Sequence, residues 1–182
     1  MRKHNPENEL AKRDYLAFLR DAGGRSPATL DMVAAAIHRF EAFNRYRNFK
    51  AFRREQAISF KAHLAAQKNE TTEKPLAKAT LYSILKTLRA FFEWLSREPG
   101  YRKALVFSDA AYFSTSANDA RIATAPRRRP APSVDQVRRI LEAMPTVTVT
   151  DRRDRAVVAL ILLTGARDAA VASLRLKHLD LG

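Results

Sequence analysis

Apolar residues recur every three or four positions over most of this chain, and most such stretches have a recognisable start or stop. Leu10, Tyr15, Phe18 and Leu19 predict a first helix over 10–19, stopped at Gly23-Gly24. Ser26-Pro27 restarts the chain, because serine caps the free amides of a helix and proline suits its first turn. Leu30, Val33, Ile37, Phe40 and Phe43 then predict an amphipathic helix of about five turns. Its other faces carry Asp31, His38, Arg39 and Arg45. A third helix is expected over 53–66, with Phe52, Gln56, Phe60 and Leu64 four apart, followed by a polar loop over 67–75.

The fourth helix has the strongest pattern. Leu81, Ile84, Leu85, Leu88, Phe91, Phe92 and Leu95 fall within about 120° at 100° per residue. Lys78, Tyr82, Lys86 and Arg89 cluster on another arc, with Ser83 and Thr87 further round. Cations, one aromatic and hydroxyls on one face suit contact with phosphates. An ordinary solvated face reads the same way, and Glu93 on that arc dilutes the signal. A short fifth helix over 108–113 is expected to close the bundle.

Residues 116–132 read as a linker between a helical domain, 1–115, and a second region, 133–182. Three prolines around Arg127, Arg128 and Arg129 favour extended backbone. Those arginines can lie along a nucleic-acid backbone, or serve equally as a solubilising spacer. Ser133-Val134-Asp135-Gln136 is a capping box that starts an amphipathic helix to about Met144. Residues 146–150 alternate in strand fashion but suit a loop equally, and Asp151 is expected to cap the next helix. Over 156–163 that helix is apolar on every face, a pattern normally buried inside a domain. The 50 residues of 133–182 are too few to surround it, so this second domain is expected to be incomplete.

Composition adds partners rather than shape. The chain has 33 Lys/Arg against 19 Asp/Glu, a formal charge of +14, with 46% apolar residues. The surplus is spread: 22 basic against 13 acidic residues over 1–125, and 11 against 6 over 126–182. Such a charge speaks of polyanionic partners, nucleic acid first and a membrane surface second. No apolar run approaches the roughly 18–20 residues needed to span a bilayer, and the N-terminus has no signal-like apolar region. A cytoplasmic, nucleoid-associated protein is therefore expected. With no cysteine and four histidines without ligand spacing (4, 38, 63 and 178), neither a metal nor a cofactor is expected.

One block remains. Leu160-Ile161-Leu162-Leu163-Thr164-Gly165-Ala166-Arg167 ends an apolar helix at a glycine and places an arginine just beyond it. Taken alone, an arginine there is favoured simply by the helix macrodipole. In order and spacing, however, the stretch 132–181 resembles the entry to the catalytic domain of tyrosine recombinases, the phage-integrase family. The elements are a proline, a capped helix, an apolar helix, the TGxR turn, and Leu174-Arg175-Leu176 with His178-Leu179-Asp180-Leu181. The preceding bundle, including Ala79-Thr80 and Phe91-Phe92-Glu93-Trp94-Leu95, is similar to that family's core-binding domain.

The resemblance implies a mainly α fold: a SAM-like four- to five-helix core-binding bundle followed by the first helices of a catalytic domain. It implies a partner, double-stranded DNA, and tetrameric assembly of full-length members on it, whereas this chain is expected to be monomeric. Family members cut one strand with a tyrosine hydroxyl, form a 3′-phosphotyrosyl link and use no metal. Arg167 matches the first of the two arginines that hold the scissile phosphate, a role suited to the planar, permanently charged guanidinium. The pattern departs at Ala170, where many members carry an acid that orients this arginine; Asp168 is nearby but offset. The family's remaining catalytic residues come later in its order. All five tyrosines here precede Arg167, so the chain is expected to bind DNA without cleaving it. Lys78, Tyr82, Lys86 and Arg89 are the expected contacts, then Arg39 and Arg45. Two alternatives stay open: a genuine short DNA-binding regulator, and a basic helical module that meets proteins or RNA.

Overall fold

The computed structural model describes residues 4–68, 73–126, 131–175 and 178. It is mainly helical, as expected, and divides into two compact units after Pro126. Among the described residues no strand occurs, only an isolated antiparallel bridge between Lys68 and Pro75.

The first unit opens with α1, Pro6–Asp21. It starts a turn earlier than apolar spacing predicts. The Asn5 side chain accepts from the Glu7 and Asn8 amides, and Pro6 occupies the first helical position. That first turn is polar, so periodicity does not register it. Helix α2, Pro27–Phe43, is capped by Ser26 as expected. It ends before Arg45, which sits with Tyr46 in a left-handed turn (φ 54° and 57°) and not on a helical face. A short 3-10 segment, Phe49–Ala51, leads into α3, Arg54–Ala66, and then α4, Lys78–Leu95. The expected short helix over 108–113 is a 3-10 segment, Phe107–Phe113.

The linker reading needs correction at its start. Ala117–Thr124 forms a helix, α5, which packs against α4. The Ser116 hydroxyl caps it, accepting from the Asp119 amide at 3.1 Å. The prolines that discourage helix begin only at Pro126, so nothing in 116–124 opposes one.

Aromatic rings fill the core where α2, α3, α4 and the 3-10 segments meet. Phe40, fully buried, stands edge-on to Phe60, Phe92 and Phe113 with ring centroids 5.2–5.5 Å apart. Phe52 stacks on Phe92 at 4.0 Å. At the rim, Tyr15 of α1 packs on Phe91 and Trp94.

One polar cluster lies inside this unit. Glu41 of α2 is 1% exposed; it accepts from Asn8 Nδ2 at 3.0 Å and pairs with Lys12 of α1. Asn8 also donates to the Arg47 carbonyl and accepts from the Phe49 amide. The cluster therefore ties α1 to α2 and to the turn after it. Desolvation opposes the charge on Lys12, but hydrogen bonds and charge from Glu41 and Glu9 outweigh it and raise its pKa above the ordinary 10.5. A raised pKa stabilises fully below the unfolded value and fades as pH climbs through the folded one. Glu41→Ala would remove the Lys12 pair and one Asn8 bond while leaving Lys12 with Glu9 and Asn8 with Arg47 and Phe49, a loss of about 1–3 kcal/mol. Urea unfolding at neutral pH is expected to show a loss of that size, and one below about 1 kcal/mol would refute the pairing's role.

The second unit contains α6, Val134–Ala143; α7, Val149–Thr164; and α8, Asp168–Ala172. Ser133 and Gln136 form the expected capping box. The cap of α7 is Thr148 and not Asp151. Asp151 instead closes a reciprocal box, accepting from the Thr148 amide at 2.8 Å. Residues 149–150 thus belong to a helix, which settles the strand-or-loop alternative over 146–150. Contrary to the usual fate of an all-apolar helix, Val157, Ile161 and Leu162 remain partly exposed and Leu163 is 83% exposed.

Candidate nucleic-acid interface

Helix α4 turns one face into the aromatic core and leaves the opposite one outward, flanked by α2 on one side and α5 on the other. Its core face explains why the helix is so well placed. Leu85, Leu88, Phe91, Phe92 and Leu95 are all buried, so the outer arc is held in fixed register.

On the α5 side, Lys78, Tyr82, Lys86 and Arg89 follow one another along the helix as the spacing predicts, but they are not equivalent. Lys78 Nζ lies 2.6 Å from Asp119 Oδ1 of α5. Hydrogen bonds from Lys78 and Ser116, and the Lys78 charge, hold the Asp119 carboxyl below its ordinary pKa. Arg89 pairs with Glu93 at 2.7 Å and donates from Nη1 to the Ser114 hydroxyl at 2.9 Å. Lys86 is exposed, has no carboxylate partner among the described residues, and rests over the Tyr82 ring at 6.0 Å. Tyr82, Lys86 and Arg89 border a cleft of about 390 Å³ that also takes in Glu93, Ser114 and Thr115, whereas Lys78 lines a neighbouring one with Asp119.

On the α2 side, half-buried Arg39 shares a smaller pocket with Ser83 and Thr87 of α4, so it adjoins the same outer face. Arg45 does not join this group. It borders a separate pocket with Arg47, Glu55 and Gln56. Arg127, Arg128 and Arg129 lie outside the described residues. Asp119 is the residue sequence reasoning missed, although Ser116-x-x-Asp119 is a capping signature that could have located it.

In the second unit, Gly165 adopts the left-handed conformation (φ 62°) that ends α7, and its amide bonds the Ile161 carbonyl. Any residue with a Cβ would be strained there. Arg167 follows in extended backbone (φ −70°, ψ 151°), exposed and at the cap of α8. Asp168 does not orient it: Asp168 Oδ1 accepts from the Ala169 amide at 2.8 Å. His178 accepts from the Arg175 amide through Nδ1, a local turn contact. Among the described residues no cluster of three metal-ligating side chains occurs, and no helix is long and apolar enough to cross a membrane.

Arg167 and the α4 cations fall in different units. Chemically, the α4 face can hold anions by charge and hydrogen bonding but carries no nucleophile with an adjacent base. Arg167 can neutralise charge on an anion and donate hydrogen bonds to it. No protein-family model, curated protein or solved structure matches this chain.

Proposed function

We propose that this chain is the DNA-binding portion of a site-specific tyrosine recombinase or integrase, and that its first unit is a SAM-like core-binding bundle. In this reading the bundle docks on duplex DNA through the outer face of α4. The observation that carries it is the turn Thr164-Gly165-Ala166-Arg167, in which a left-handed glycine ends an apolar helix and delivers an exposed arginine with no carboxylate partner among the described residues. A macrodipole role alone would be met by an arginine inside the last turn of α7. The supporting observation is the exposed, unpaired Lys86 between the hydroxyls of Ser83 and Thr87 and the cation Arg89.

In the resembled family the nucleophilic tyrosine follows the arginine that holds the phosphate, and all five tyrosines here precede Arg167. The 182 residues are therefore expected to bind duplex DNA and leave it intact. Fluorescence anisotropy with a labelled duplex should give an affinity that falls steeply as salt rises from about 50 to 200 mM, because each neutralised phosphate releases counterions. Supercoiled plasmid should stay supercoiled, and no protein–DNA adduct should survive denaturation. A salt-independent affinity would overturn the DNA reading and favour a protein-binding module; relaxation of the plasmid would overturn the inactivity.

A further inference from the structure

Beyond the C-terminus of α4 the chain folds back through residues 96–105 in a tight series of turns. Arg97 N bonds the Trp94 carbonyl, Tyr101 N and Arg102 N bond the Glu98 carbonyl, and Leu105 N bonds the Tyr101 carbonyl. Gly100 supplies the positive φ (85°) the reversal needs. The segment is anchored at several points. Leu105 is buried, Arg53 Nη1 donates to the Ala104 carbonyl at 3.1 Å, and Lys50 sits over the Tyr101 ring at 5.4 Å.

This rigid turn presents an open cleft of about 680 Å³ lined by Ser96, Arg97, Arg102, Leu105 and Phe107. No acidic side chain lines it. The Arg97 guanidinium is laid over the Phe107 ring at 4.9 Å, and Phe107 is still 47% exposed. Arg97 and Arg102 make no ion pair among the described residues, a state they share with others such as Arg25, Arg39 and Arg139; what sets them apart is a shared cleft with no carboxylate in its lining. An arginine near a helix C-terminus is favoured by the macrodipole. That accounts for Arg97 alone. It does not explain a second arginine in a cleft without acidic side chains or a large aromatic left half in solvent.

Position links the cleft to the helix already described. Arg97 lies two residues beyond Leu95, the last residue of α4, so the cleft adjoins the C-terminal end of that helix. We propose that Arg97 and Arg102 form a second phosphate-binding clamp that lengthens the track of α4 along the nucleic-acid backbone, with Phe107 lying against a sugar. Stacking on Phe107 holds the Arg97 fork in place before binding, so less side-chain freedom is lost when a phosphate arrives. The ligand chemistry is a phosphodiester backbone.

The inference rests on the DNA reading, and one titration series separates the two. Wild type, Arg97→Ala/Arg102→Ala and Arg102→Glu are titrated with the same duplex across a range of salt concentrations. The double variant is expected to bind about tenfold more weakly at low salt and to lose about two units from the slope of log K against log salt, roughly one per lost phosphate contact. Arg102→Glu leaves the Arg97–Phe107 stack intact. It carries the test, with a slope loss of about one, if the double variant melts early. Wild-type binding with unchanged slopes in the folded variants overturns the clamp alone. A wild type without duplex affinity overturns the DNA reading and the clamp with it.

Discussion

Lys86→Glu/Arg89→Glu is expected to weaken duplex binding by about 10²-fold at about 50 mM salt and to cut the salt slope by about two units. Each reversal removes one phosphate contact and places a carboxylate against the polyanion. The two positions should not contribute equally. Lys86 is unpaired among the described residues, so its ammonium is available at once. Arg89 must first leave Glu93 and Ser114, which offsets part of what a phosphate would return. Lys86→Glu alone should therefore account for most of the loss. Lys78→Ala should cost less than either reversal, because Asp119 already satisfies that ammonium. Lys86→Glu should leave thermal unfolding nearly unchanged, whereas Arg89→Glu gives up the Glu93 pair and the Ser114 hydrogen bond and should cost about 1 kcal/mol. A folded double variant with wild-type affinity would remove α4 from the interface.

Phe40→Ala is expected to destabilise the first unit by about 3–5 kcal/mol, the usual range for losing a buried phenyl ring. The high end is favoured because Phe40 meets four other rings, Phe52, Phe60, Phe92 and Phe113, all edge-on. Each such pair adds about 0.5–1.5 kcal/mol beyond area alone. The neighbours come from α3, α4 and the segments before α3 and after α4, so none can collapse into the void without dragging its own element. The chain's single tryptophan, Trp94, lies in this unit against Tyr15. Its fluorescence should report the lowered transition, by roughly 10–20 °C in melting temperature. A loss under about 1.5 kcal/mol would show that the rings repack around the gap.

How much of this was legible in the sequence depends on what kind of signal each element carries. Helices α2, α3 and α4 announce themselves through apolar spacing, because a helix that buries one stripe must repeat its large side chains every three to four residues. The first turn of α1 and all of α5 carry no such stripe. They are fixed by caps, Asn5 and Ser116, whose effect is local but whose residue types also occur in loops. For the candidate site, the outer arc of α4 was readable as a set of positions, and Gly165 was readable as a helix stop.

Pairing between elements was not readable. That Asp119 takes Lys78 and that Ser114 takes Arg89 depends on where α5 and the 3-10 segment return across α4, whereas Arg89–Glu93 and Lys86–Tyr82 are contacts four residues apart within the helix. Chain returns of that kind join residues 25 or 41 positions apart, and no local periodicity encodes them. The cleft between Arg97, Arg102 and Phe107 has the same origin. Its residues look unremarkable in order, and only the anchored reversal at Gly100 brings two unpaired arginines to one exposed ring. The sequence by itself determined the helices that bury an apolar stripe, the surplus of positive charge and the glycine-ended turn before Arg167, because each follows from local spacing or composition. Tertiary structure decided which cations remain free, because a charge is free or spent according to what folds back against it.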